Sequence, residues 1–214
     1  DSNSVLRHHL PLPQVLALVE RGKLQPLGGA RDLLGLARAH GGVVLKPVSG
    51  SRGVGVHRLD AGADLRLDGR AVTPATVAAL VQALDGYLVT EAVTQAAYAR
   101  AICAETTNTV RVLTLIDPDT AEPFVACAVH RFGTPATAPV DGWSLGGLMC
   151  GCHTQTGVLG PAAKSLKNAN GELRWYRRHP DTGAALAGVP VPDWEQVCAG
   201  LLRAVRAIPS LTSV

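Results

Sequence analysis

Aromatic residues are scarce: three Trp, three Tyr and two Phe in 214 positions. That is too few to build a stacking platform for exposed nucleic acid bases. Charge of one sign is also lacking. A formal net charge of +3 does not make the electrostatic footprint of a nucleic-acid binder. No apolar run approaches the length of a membrane span, and no basic-then-apolar signal segment opens the chain. The chain is not poor in apolar residues overall. At 47% hydrophobic and 17% charged it has the composition of a folded α/β protein, and disorder is excluded.

The five cysteines, at positions 103, 127, 150, 152 and 198, are odd in number and follow no disulfide-framework spacing. This pattern predicts reduced thiols and a cytoplasmic setting. Cys150-Gly151-Cys152-His153 resembles half of a zinc site, but no second ligand pair exists. Two cysteines at alternate positions share one face of a strand, where they behave as small apolar groups. No metal ligands are assigned. His8 and His9 read as part of an exposed linker.

The informative stretch is Val43-Val44-Leu45-Lys46-Pro47, followed by Val48-Ser49-Gly50-Ser51-Arg52-Gly53-Val54-Gly55-Val56. Val43–Leu45 reads as a buried strand. Pro47 forbids a helix from starting on Lys46. Three glycines in six residues let backbone N–H groups turn inward around an anion, and Lys46 adds a point charge. A Walker loop places its lysine after the glycines, and a dinucleotide fingerprint opens a helix. Here the lysine comes first and a strand follows. The plainer reading is a glycine-rich hairpin with a surface lysine.

Local patterns organise the remainder. Residues 1–23 are predicted to be a leading segment with a helical turn over Val15–Val19, ended by Gly22. Helices are predicted over 31–40, over 74–84 behind a Thr73 cap, and over 95–104. Residues 59–70 read as a hairpin with an Asp68-Gly69 turn. Tyr87–Val93, Asn108–Ile116 and Pro123–Arg131 read as strands, with Arg111, Leu113 and Leu115 on one face of the second. Residues 133–147 read as loop and 149–159 as a second hairpin. Residues 164–192 are expected to be irregular, and Arg174–Arg178 a solvated basic loop. A last helix follows Asp193, with Trp194, Val197, Leu201, Leu202 and Val205 facing in.

Four pieces in order resemble the ATP-grasp superfamily, in its sugar-transfer associated branch related to α-L-glutamate ligases. They are Val44–Val56, Asn108-Thr109-Val110-Arg111-Val112, Pro139–Gly147 and His179–Gly183 leading to Pro192-Asp193-Trp194-Glu195. The resemblance implies an α+β ATP-grasp fold with the nucleotide between two α+β subdomains, 24–92 and 93–214. Lys46 would touch ATP phosphates while Ser49, Gly50, Ser51, Arg52, Gly53 and Gly55 close over them. The backbone of Glu91, Ala92 and Val93 would read adenine. Arg111, with Lys46 the expected catalytic group, would meet the transferred phosphoryl or acyl group. Asn108, Asp141, Ser144, Gly146 and Gly147 would shape the substrate wall.

The implied activity is an ATP- and Mg²⁺-dependent carboxylate–amine ligase passing through an acyl phosphate. A hydroxyl kinase and a non-catalytic nucleotide-binding module are the alternatives. Expected partners are small-molecule or peptide carboxylates and amines, with a homodimer allowed and neither nucleic acid nor membrane. The chain opens on Asp1 and ends soon after the last helix, without the acidic strands that hold magnesium in such proteins. A fold incomplete at both ends is therefore expected.

Overall fold

The computed structural model describes residues 12–50, 53–166 and 171–207. Two antiparallel sheets carry the fold. The first contains β1 (Val15–Glu20), β2 (Lys23–Pro26), β3 (Val43–Pro47), β4 (His57–Ala61), β5 (Leu65–Leu67), β6 (Arg70–Ala71) and β7 (Tyr87–Glu91), in the spatial order β2-β1-β7-β3-β4-β5-β6. The second contains β8 (Thr109–Ile116), β9 (Pro123–Phe132), β10 (Leu148–Cys152), β11 (Leu159–Ser165) and β12 (Leu173–Tyr176), in the order β12-β11-β10-β9-β8. An α+β architecture is what these elements make.

Helices α1 (Leu33–His40) and α2 (Pro74–Ala83) pack with the first sheet. Asp32 starts α1 by accepting from Gly35 N–H at 2.6 Å, and Gly41 stops it at φ 69°. Thr73 caps α2, with Pro74 in the first turn, where its missing N–H costs nothing. Val43, Leu45, Leu59 and Val89 are fully buried beneath these helices. Strand alternation therefore sends Val44 and Lys46 to the opposite face. Helices α3 (Ala97–Ile102) and α4 (Trp194–Ala207) cover one face of the second sheet. Cys150 and Cys152 are buried in that core, where burial pushes their thiols up to about 12 and about 11. They remain protonated apolar fillers.

Three expectations need correction. Val15–Val19 is strand β1, paired with both β2 and β7, rather than a helical turn. Val-Leu-Ala-Leu-Val is apolar on both faces, so its period is ambiguous until two neighbouring strands claim it. The first sheet thus begins within the leading segment. Arg174–Tyr176, expected to be irregular, belongs to edge strand β12. On α4, Val197 is 40% exposed, and Ala204 is buried with Trp194 and Val205. Two segments, His153–Gly157 and His179–Gly183, form the same turn. In each the histidine Nδ1 accepts two backbone N–H groups, and the glycine N–H donates to the histidine carbonyl.

His130 lies in the second core. It stacks on Phe132 with ring centroids 4.0 Å apart and meets Tyr98 edge-on. Its Nδ1–H donates to the Arg131 carbonyl at 3.1 Å, so Nε2 accepts from the Tyr98 hydroxyl at 2.8 Å. Burial pushes its pKa down to about 4 from 6.5. The unfolded chain therefore takes up a proton, between these two values, that the folded chain refuses. The contribution is complete above pH 6.5 and is lost as pH falls toward 4, amounting to about 3 kcal/mol. Urea unfolding of His130→Leu should show a shallower pH slope than the parent across that window, by about one proton. Identical slopes would place the titration elsewhere.

Candidate active site between the two sheets

The faces not covered by helices turn toward one another and enclose a cleft of about 680 Å³. This is within the usual range for a small-molecule site. Its first wall comes from β3, β4 and the end of β7, including Lys46, Gly53, Glu91 and Val93. Its second wall comes from β8, β9 and the 139–144 loop, including Arg111, Asp141 and Ser144. Lys46 and Arg111 have no hydrogen-bond or ion-pair partner among the described residues. Two uncommitted cations, one from each sheet, thus border one space.

The carboxylates of the cleft are committed. Asp141 is buried; its Oδ2 accepts from Thr109 N–H at 2.8 Å and from the Thr109 hydroxyl at 2.5 Å. Its Oδ1 accepts from the Arg131 guanidinium at 2.5 Å. Glu91 accepts from Gln14 N–H at 3.0 Å, and its own N–H donates back to the Gln14 carbonyl at 3.1 Å. Among the described residues no group of three His, Cys, Asp or Glu side chains stands close enough to hold a metal ion. The described donor set therefore does not make a protein-held magnesium site.

Other nominated residues brace the cleft without lining it. Asn108 is tied on every side: Oδ1 accepts from the Thr106 hydroxyl at 2.7 Å and Gly133 N–H at 3.1 Å, while Nδ2 donates to the Cys103 carbonyl at 2.7 Å. It holds the turn before β8. Ala92 N–H donates to the Gly42 carbonyl at 3.1 Å and Glu91 N–H to the Gln14 carbonyl, which leaves the Glu91 carbonyl and the Val93 backbone as the open groups of that bend. Gly147 packs so tightly that a Cβ there would stand 2.7 Å from the Asp141 carbonyl oxygen. Gly146, at φ 111°, ends a short 3₁₀ turn over Trp143–Leu145. Ser49, Gly50 and Gly55 are likewise not lining residues, and Ser51 and Arg52 lie outside the described residues. Gly53, at φ 77°, touches the opposite wall, where a Cβ on it would lie 3.0 Å from Val140 Cγ2.

Sequence reasoning missed Arg131. It lies opposite Thr109 in the β8–β9 register and diagonal to Arg111, so the two guanidinium-bearing positions are neighbours on one sheet face. Asp141 fixes Arg131 and leaves Arg111 without an ion-pair partner among the described residues. Cutting this anchor should be costly, because Asp141→Ala strands a largely buried guanidinium and a backbone N–H. Thermal or urea unfolding should report a loss of about 3 kcal/mol or more, and a loss below about 0.5 kcal/mol would remove Asp141 from this structural role.

The sequence matches the profile of a family described as sugar-transfer associated ATP-grasp over residues 2–214. No curated protein and no solved structure matches the chain. The match spans both sheets and both walls of the cleft, so the resemblance read from four short motifs extends to the whole described architecture. The chain belongs to the sugar-transfer associated ATP-grasp family.

Proposed function

We propose that the cleft binds ATP and activates a carboxylate for attack by an amine, forming an amide bond. The observation that carries this reading is the pairing of Lys46 from one sheet with Arg111 from the other, both lining the cleft with no ion-pair partner among the described residues. A carboxylate oxygen attacks the γ-phosphorus of ATP, and ADP leaves with the bonding pair. The amine then attacks the acyl carbon, inorganic phosphate leaves, and the amine nitrogen gives up a proton. Two anions must meet in the first step, so the site needs charge that persists at every working pH. Arg111 supplies it, because a guanidinium does not deprotonate in a protein and its fork spans two oxygens. Lys46 supplies a point charge to the phosphates beside the glycine loop.

A hydroxyl kinase would use the same cradle, but it needs a carboxylate or imidazole base to take the alcohol proton. Asp141 and Glu91 are both held by donors, which favours a substrate that arrives already ionised. The proposed setting is the cytoplasm, on the ground that all five cysteines are free. No helix among the described residues is long and apolar enough to cross a membrane.

Calorimetry should show Lys46→Ala binding ATP more weakly by about 1–3 kcal/mol, the scale of a charge-assisted hydrogen bond. Equal affinities would remove Lys46 from the phosphate site. Arg111→Ala should lower kcat about 100-fold while changing ATP affinity less. Hydroxylamine should trap the activated acid as a hydroxamate in the parent protein, and equal trapping in Arg111→Ala would sink its role. A phosphorylated alcohol in place of a hydroxamate would establish the kinase, and ATP binding without any turnover the non-catalytic module.

A further inference from the structure

Arg58 faces the same cleft, and the chemistry above leaves it without a task. The register gives its place. Arg58 stands opposite Val44 on β3, and Val44 stands opposite Thr90 on β7. These three residues form a row on the cleft face, one residue from Glu91. Lys46 is two residues further along β3, about 7 Å toward the glycine loop at strand rise. Arg58 therefore belongs to the Glu91–Val93 end of the cleft, away from the phosphate end.

The side chain is held in position. Its Nε donates to both oxygens of Asp60, at 2.9 and 3.1 Å. Its backbone N–H donates to Asp68 Oδ1 at 2.7 Å, and Asp68 Oδ2 meets His57 Nδ1 at 2.8 Å. The two terminal nitrogens have no partner among the described residues. Glu91, the acid at that end, is already held by Gln14. A fixed, donor-only fork thus points into the region where a base would lie.

We propose that Arg58 reads the nucleobase of ATP by donating to its ring nitrogen N7, with Asp60 as the positioning residue. The proposal rests on the ATP reading of the cleft. The carbonyl of Glu91 and the backbone of Val93 suit the Watson–Crick edge of adenine, which offers one donor and one acceptor. A guanidinium accepts no hydrogen bond, so the exocyclic amine cannot be its partner. N7 is the acceptor beside that amine, whereas N3 lies on the sugar side. Pyrimidine nucleotides have no N7, so this contact selects for purines.

The test compares ATP with 7-deaza-ATP, which replaces N7 by a C–H group. Calorimetry on the unaltered protein should show 7-deaza-ATP binding about tenfold more weakly, the scale of one charge-assisted hydrogen bond. Arg58→Ala should bind ATP about tenfold more weakly and should not distinguish the two ligands. Asp60→Asn should fall between. Equal binding of the two ligands by the unaltered protein overturns the proposal and leaves the ATP reading standing. Retained discrimination in Arg58→Ala also overturns it and transfers N7 to another donor. Failure of the unaltered protein to bind ATP overturns both readings. The first comparison needs no variant, so a folding defect in Arg58→Ala does not shield the proposal.

Discussion

The carboxylate of Asp141 joins three groups that the chain brings from far apart: the start of β8, the end of β9 and the loop beyond it. Removing such an anion from water costs several kcal/mol, and only donors of good geometry offset that cost. Thr109 and Arg131 provide them. The loop is held further by Thr107 N–H, which donates to the Pro139 carbonyl at 3.0 Å, and by a parallel bridge between Thr107 and Val140. The second wall of the cleft is therefore fixed before any ligand arrives. Because Asp141 and Arg131 neutralise each other, the local potential is set by the cations left over, Lys46 and Arg111.

Much of this was legible in the chain. The strand, lysine and glycine order put Lys46 on a strand, since the proline after it disfavours a helix there. Period-two alternation put Arg111 on the open face of β8. The Thr73 cap announced α2. What was not legible lies in pairing. Arg131 and Arg58 each occupy an ordinary alternate position, and only the register against Thr109 and Val44 shows that they face the cleft. Nor could spacing show that Asn108 would be fully occupied within its own turn. Val15–Val19 reads equally well in either period. Strand β12 carries three charged or aromatic residues at a sheet edge, a composition shared with loops.

The buried polar groups of the second core follow the same logic as Asp141. His130 satisfies both ring nitrogens within the protein, and among the described residues no buried side-chain nitrogen or oxygen lacks a partner. Polar atoms inside a core narrow the ways it can pack, because each alternative leaves one unpaired. The scaffold under the cleft thus gains definition from hydrogen bonds as well as from apolar volume.

Gly53 and Val140 meet from opposite walls of the cleft, hydrogen against methyl. A contact of this kind holds by dispersion alone, a few tenths of a kcal/mol. The two walls therefore separate at little cost at this point, and the contact adds little rigidity to the pocket. The consequence is steric. Any side chain at position 53 would meet Val140 and hold the walls apart, so their closest approach here depends on a hydrogen atom where every other residue carries a carbon.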